Sequence, residues 1–380
     1  MMKSLADLVR QTEFTREEIA FLLGRRETNE VELLRQAAEA LCFAWVGNTV
    51  HFRGLVEFSN ICVCDCHYCG IRKSNPAITR FFLTLDEVMQ AAHWCAEQGY
   101  GSLVLQSGER RDEAFIDFVE TAVRRIRAET RTAQQPDGLG ITLCVGEQTR
   151  ETYARFKAAG AHRYLLRIES TSPHLFRQLH PAGQSFEQRV QCLQWLRETG
   201  FQVGTGVMIG FPGQTLENLA DDVLFFRSLD VDMIGMGPYL VHKQTPMAAQ
   251  EKEMAARHGE VYQLALNMIA VTRLVLKNVN IAATTALQAM KATGREEGLT
   301  YGANVIMPQL TPTEFRKDYQ LYEGKPCLDE NRDQCKMCLQ RRITGAGRVI
   351  GFHEWGDSRH ARDRTENTAP SGEGGSPSKP

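Results

Sequence analysis

Residues 50–69 read VHFRGLVEFSNICVCDCHYC, and the architecture follows from this stretch. Its first half, VHFRGLVEFSN (50–60), carries valine, phenylalanine and leucine in the pattern of a strand. Its second half places Cys62, Cys64, Cys66 and Cys69 directly after that strand. Cys62, Cys66 and Cys69 have C-x3-C-x2-C spacing, tight enough to wrap a compact inorganic cluster. A structural zinc takes four ligands and normally separates them into two pairs. Cys64 would be the fourth ligand of a zinc knuckle, but it lies two residues from both Cys62 and Cys66, a cramped geometry. A 4Fe–4S cluster held by three thiolates leaves one iron open for a chelating ligand, and the spacing suits it better. Tyr68 adds an aromatic wall beside Cys69.

The rest of the composition bounds the function. The chain has 380 residues, with 44 Lys and Arg against 46 Asp and Glu, so 44 − 46 = −2. That balance argues against a nucleic-acid binder, which shows a clustered basic excess. Hydrophobic content of 43% suits a globule with a sizeable core. No run is long and apolar enough to span a membrane, and MMKSLADLVR has no apolar signal core, so the expectation is a cytoplasmic protein. Eleven cysteines, an odd number, fit a disulfide scaffold poorly. Cys42, Cys95, Cys144 and Cys192 are scattered and read as small buried hydrophobes. A second cluster, Cys327, Cys335 and Cys338, has C-x7-C-x2-C spacing.

Strand and helix patterns alternate from residue 50 onward. Further strands are expected at 102–107, 139–145, 163–169, 202–210, 231–239, 280–286 and 303–308, each followed by a helix. Eight such units predict a complete parallel (β/α)8 barrel of the TIM type. In that fold the loop after the first strand opens on the C-terminal face, where active sites lie. The chain divides into N-terminal helices (1–48), the barrel (49–325), an accessory cysteine segment (326–362) and a disordered tail (363–380) rich in Pro, Gly and Ser. TREE at Thr15–Glu18 predicts a helix-capping box. Arg167 and Glu169, two apart at the end of the fourth strand, are expected to share a face with Leu165. A cation and an anion there would hold ligand groups, or simply form a structural ion pair. Thr142 and Cys144 share a face of the third strand, and Thr284 and Thr285 end the seventh. GFPGQT (210–215) lacks the Lys-Ser/Thr ending of a phosphate loop. His180 and His242 belong to no metal-ligand cluster and read as rim or loop histidines.

C-x3-C-x2-C directly after a barrel's first strand resembles the radical S-adenosylmethionine (SAM) enzymes. VEFSN, LQSGE (105–109), RYLLRIES (163–170), MIGFPGQT (208–215), GMGPYLVH (235–242), TTALQAM (284–290), YGANVIMPQLTP (301–312) and YQLYEGKPC (319–327) narrow it. Together they resemble the HydE family of FeFe-hydrogenase maturases, within the group that also holds biotin synthase and methylornithine synthase. The resemblance implies a 4Fe–4S cluster on Cys62, Cys66 and Cys69 whose open iron binds SAM. It also implies reductive cleavage of SAM to a 5′-deoxyadenosyl radical.

The resemblance assigns further roles. Glu169, Arg189, Gln106 and Ser107 belong at the SAM site, with Pro238 bordering the adenine. Arg167 would line the substrate cavity, and Thr142, Thr284 and Thr285 would join it in an anion-binding pocket. Met307, Tyr319 and Tyr322 would form its far wall, and Cys327, Cys335 and Cys338 a candidate accessory iron–sulfur site. The implied substrate is a cysteine-bound iron dicarbonyl cyanide complex on the way to the hydrogenase diiron subcluster. Implied partners are an electron donor such as reduced flavodoxin or ferredoxin and the other hydrogenase maturases. A methylornithine- or biotin-synthase-type enzyme acting on a small organic substrate is the alternative. A non-enzymatic iron–sulfur carrier would need no SAM pocket, so the Arg167/Glu169 pair speaks against it.

Overall fold

The structure is a computed structural model and describes residues 3–368. Its strands are β1 (Thr49–Ser59), β2 (Ser102–Ser107), β3 (Gly140–Cys144), β4 (Arg163–Leu165), β5 (Gln202–Thr205), β6 (Met208–Ile209), β7 (Met233–Ile234), β8 (Gly237–Pro238), β9 (Asn280–Ile281), β10 (Val305–Ile306) and β11 (Val349–Ile350). Eight of them form one curled parallel sheet in the order β10-β1-β2-β3-β4-β5-β7-β9. Arg53 pairs with Ser102 and Val104 with Thr142, so neighbouring strands run in parallel register. At the edges, Ala282 and Val305 form a parallel bridge, and the Ala283 N–H donates to the Val305 carbonyl at 2.9 Å.

The ladders are shorter than the apolar patterns predicted. The fourth strand was expected to reach residue 169, but β4 ends at Leu165. Glu169 then takes a left-handed φ of 63° while its N–H still donates to Gly206 at 3.0 Å. The expected strand 231–239 breaks into β7 and β8. A Cβ on Gly206 would sit 2.0 Å from the Gly235 carbonyl, so only glycine permits that approach. The expected strand 280–286 stops at Ile281, and Thr284 and Thr285 instead occupy the N-cap and first turn of the helix Thr285–Met290. Residues just past the strand ends, among them Arg167, Glu169, Thr284 and Thr285, line a cavity.

Thr15 and Glu18 form the expected capping box at the start of the helix Arg16–Leu23. That helix and Thr28–Trp45 lie against the helices Leu216–Ser228 and His258–Leu276, burying Leu22, Leu23, Leu34 and Ala38. Asn267 pins the turn between them by donating to Leu23 and Arg25 carbonyls.

The C-terminal segment does something the sequence did not suggest. After the helix Arg332–Gly345, β11 adds in parallel to the start of β1 (Thr49↔Val349), and residues 351–358 pass beneath the sheet. Arg53 and Asn280 donate to the Gly356 carbonyl, and Ser102 and Arg163 to the Trp355 carbonyl. Arg163 also pairs with Asp357 at 2.6 Å. The tail needs correction too: residues 359–368 are helical, and Arg364 pairs with Asp230 and Asp232 at 2.8 Å. Residues 369–380 of the expected tail lie outside the described residues.

Candidate active site

Hydrogen bonds from flanking side chains brace the cysteine loop. Asn60, at the end of β1, accepts the Phe81 N–H at 2.8 Å and donates to the Thr79 and Asp318 carbonyls at 2.7 Å each. Arg80 donates to the carbonyls of Asn60, Ile71 and Arg72, while Asp65 pairs with Arg72 at 2.7 Å. The loop after β2 presses against it: a Cβ on Gly108 would lie 2.4 Å from the Ile61 carbonyl. That closeness lets the Glu109 and Cys64 N–H groups both donate to Cys62 Sγ at 3.4 Å.

Cys62, Cys64, Cys66 and Cys69 are free, partly exposed thiols lining a cavity of about 340 Å³. Cys66 donates to Gln184 Oε1 at 3.3 Å, and Gln184 Nε2 donates to Cys64 Sγ at 3.2 Å. The Cys64 thiol and two backbone amides pull Cys62 below the ordinary thiol range, and the same thiol pair pushes Cys64 up. Burial raises Cys66 to about 12 and Cys69 well above its ordinary value. Ligation of a metal cluster therefore has to displace protons. Among the described residues the group close enough for a single ion, within 4.8 Å, is Cys327, Glu330 and Cys335. No three of Cys62, Cys64, Cys66 and Cys69 gather that closely, which suits a polynuclear cluster with one thiolate per iron.

Charged residues line the walls in pairs. Arg167 Nη2 lies 2.9 Å from Glu169 Oε2. Arg189 is buried, donates to the Arg167 carbonyl and pairs with Glu147 at 2.6 Å, which holds its charge firmly despite burial. Glu109 accepts the Glu147 N–H at 2.9 Å and an Arg111 contact at 2.6 Å. Lys325 bonds both oxygens of Glu57 and the Tyr319 carbonyl, and Gln309 donates to Glu57 Oε2 at 2.6 Å. Several lining atoms are buried without a hydrogen-bond partner: Arg167 Nε, Tyr239 Oη, Thr284 Oγ1, and Nε and Nη1 of Arg295. Buried polar atoms normally find partners, so this cavity is built for a polar ligand.

Most of the expected residues meet here. Tyr68, Gln106, Ser107, Arg167, Glu169, Arg189, Thr284, Thr285, Met307, Tyr319 and Tyr322 all line the cavity. Gln106 donates to Tyr319 Oη at 3.3 Å, and Ser107 donates to the Gly108 carbonyl, which leaves its oxygen free only to accept. Thr285 and Tyr322 share a 2.7 Å hydroxyl contact. Thr142 is a correction: it is not among the lining residues, and its hydroxyl accepts from Arg163 in the network beneath the sheet. Its neighbour Cys144, the next residue on that face, lines the cavity instead. In the GFPGQT turn, Gln214 bonds Gly210 and Met208, and of these only Met208 lines the cavity. His180 is buried, stacked on Phe176 at 3.9 Å.

The second cysteine group is partly assembled. Cys327 and Cys335 gather with Glu330, while Cys338 stands outside the trio, one turn further along the helix Arg332–Gly345. Cys327 has a left-handed φ of 64° and also lines the main cavity. The expected boundary at 325/326 thus cuts through the site. Glu57, Lys325, Gln309, Gln184, Glu147 and Arg295 were missed by sequence reasoning. Glu57 and Lys325 do fall inside quoted motifs, but nothing in a sequence pairs positions 268 apart.

A cysteine loop and a polar cavity at the C-terminal mouth of a curled parallel sheet define the radical SAM class of enzyme. The Radical SAM superfamily model matches residues 56–226. The FeFe hydrogenase maturase subunit HydE of Thermotoga maritima is 39% identical over 355 residues, spanning 93% of this chain and 97% of that protein. The 3-methylornithine synthase of Methanosarcina acetivorans is 24% identical over 340 residues, 87% and 89% of the two chains. The solved structure of methylornithine synthase shares the fold at a TM-score of 0.76 and 23% identity, covering 92% and 98%. That of the maturase HydG from Carboxydothermus hydrogenoformans shares it at 0.74 and 18%, covering 92% and 78%. The chain belongs to the HydE family of radical SAM enzymes. Membership implies a 4Fe–4S cluster and SAM, and the free thiols and unpartnered polar atoms of the cavity fit both. Among the described residues no helix is long and apolar enough to cross a membrane.

Proposed function

We propose that this protein acts in assembly of the FeFe-hydrogenase diiron subcluster, on a cysteine-bound iron dicarbonyl cyanide precursor. The observation that carries the reading is one continuous cavity with the Cys62/Cys66/Cys69 loop, the Arg167/Glu169 pair and the Thr285/Tyr322 pair all in its wall. When bound, the 4Fe–4S cluster supplies the electron that converts SAM to a 5′-deoxyadenosyl radical. The protein's residues hold the reactants. Cys62, Cys66 and Cys69 ligate the cluster, and Tyr68 walls it. Glu169, its Oε2 oriented by Arg167 Nη2, accepts from a SAM donor, while Gln106, Ser107 and Arg189 complete that side. Arg167, Thr284, Thr285, Met307, Tyr319 and Tyr322 hold the substrate and keep water from it.

In this reading the sheet is a complete (β/α)8 barrel, supported by the Ala282–Val305 bridge. Cys327 and Cys335 anchor a second metal site, a candidate iron–sulfur cluster with Cys338 as its third thiolate. A reduced flavodoxin or ferredoxin supplies electrons, other maturases exchange intermediates with this one, and the protein works in the cytoplasm.

The test is anaerobic reconstitution followed by EPR of the reduced cluster with and without SAM, and an assay for 5′-deoxyadenosine. A SAM-dependent spectral change with nucleoside release is expected. Neither change nor nucleoside would sink the enzyme reading. Rescue of hydrogenase activity in a host without its own HydE tests the substrate assignment, and failure with active protein present would overturn it.

A further inference from the structure

Arg295, on the helix Gly294–Thr300, is 2% exposed and lines the cavity. Its companions each face a carboxylate: Arg167 faces Glu169, Arg189 faces Glu147 and Lys325 faces Glu57. Arg295 faces none among the described residues, and its Nε and Nη1 lack any hydrogen-bond partner. A buried guanidinium without counter-charge is strongly unfavourable, and folded proteins rarely keep one unless a ligand completes it.

Its surroundings narrow the ligand. The Tyr322 and Thr285 hydroxyls contact each other in the same cavity lining, where Thr284 Oγ1 is buried without a partner. The helix Gly294–Thr300 packs on the helix Thr285–Met290, so closely that a Cβ on Gly294 would lie 2.2 Å from the Leu287 carbonyl, and Arg295 lines the same cavity as Thr285, Tyr322 and Cys327. An arginine fork beside hydroxyl donors is the recognition set for a carboxylate.

We propose that Arg295 is the specificity residue for a carboxylate of the substrate, bound on the Tyr322–Cys327 side of the cavity. The proposal deepens the substrate reading above and rests on it, since an amino-acid-bearing substrate supplies the carboxylate. With Arg167 already balanced by Glu169, Arg295 is the charge that makes the cavity select an anion.

The test uses the full chain with its cluster reconstituted anaerobically. Calorimetric titration compares S-methyl-L-cysteine with S-methylcysteamine, which keeps the thioether and amine but lacks the carboxylate. Methylation keeps the sulfur from acting as a thiolate toward iron. The wild type should bind the carboxylate compound at least tenfold more tightly. Arg295→Met should abolish that preference, and Arg295→Lys should restore part of it. Without ligand, Arg295→Met should melt no lower than wild type, because it removes a buried unpaired charge. No preference in the wild type, a preference that survives in Arg295→Met, or a clearly lower melting point in that variant would each overturn the proposal. Loss of bound iron in Arg295→Met with an intact preference would also overturn it, assigning Arg295 to the Cys327/Cys335 pair. Formation of 5′-deoxyadenosine in the same wild-type samples separates the two readings. If it fails while the preference holds, the radical-enzyme reading is wrong and the carboxylate site stands.

Discussion

Lys325 Nζ sits 2.5 and 2.7 Å from the two carboxylate oxygens of Glu57, and both side chains are buried in the cavity wall. The two residues lie 268 positions apart. The bond ties the first strand to the segment that carries Cys327, so the main cavity and the second cysteine group share a wall. Removing one partner of a buried pair leaves an uncompensated charge. Lys325→Met should therefore lose about 3 kcal/mol of stability in urea unfolding. Glu57→Gln with Lys325→Met should recover most of it, and an additive double variant would refute the coupling.

The cysteine loop makes a sharper prediction about Cys64. Cys62, Cys66 or Cys69 changed to Ala should each abolish the SAM-dependent EPR change and 5′-deoxyadenosine formation. Cys64→Ala should retain both, because Cys64 bonds Cys62 and Gln184 within the loop and is redundant once the cluster is bound. Iron content of the purified variants provides the check. Cys335→Ala should leave nucleoside formation largely intact.

Glu147 holds Arg189, whose guanidinium also supports the Arg167 carbonyl, and in the proposed SAM site that pair would position the arginine. Glu147→Gln keeps the shape and removes the charge. SAM affinity measured by calorimetry should fall roughly tenfold, about 1.4 kcal/mol, with secondary structure unchanged by circular dichroism.

Asp222 gives a pH prediction. It is fully buried, with Thr171 donating to one carboxylate oxygen and the other unpartnered. Burial raises it to about 7, against about 3.9 in an unfolded chain. The folded state then holds more protons between about pH 4 and 7, so this group's contribution to stability falls as pH rises through that window, by at most about 4 kcal/mol. Asp222→Asn should flatten that fall. The check is the wild-type minus variant difference in unfolding free energy across pH 4–8.

The site was legible wherever chemistry sits at short spacing. The Cys62–Cys69 loop, the Arg167/Glu169 pair and the Thr15–Glu18 cap were each readable within a few residues. Thr142 was misplaced because alternation along a strand gives a face but not a depth, and Arg163 captures it below the cavity. Arg295 and Glu57 were passed over because a lone charged residue in a sequence looks the same whether solvated or buried.

The sequence by itself determined the alternation of strand and helix, the C-x3-C-x2-C spacing of Cys62, Cys66 and Cys69 and their place after the first strand. These follow from local periodicity and from spacing within one loop. The tertiary structure alone decided where the strands stop, that residues 351–358 plug the underside of the sheet, and that Arg295 is buried without a counter-charge. Those outcomes depend on which distant groups meet, and burial acquires its energetic meaning only once the partners are in place.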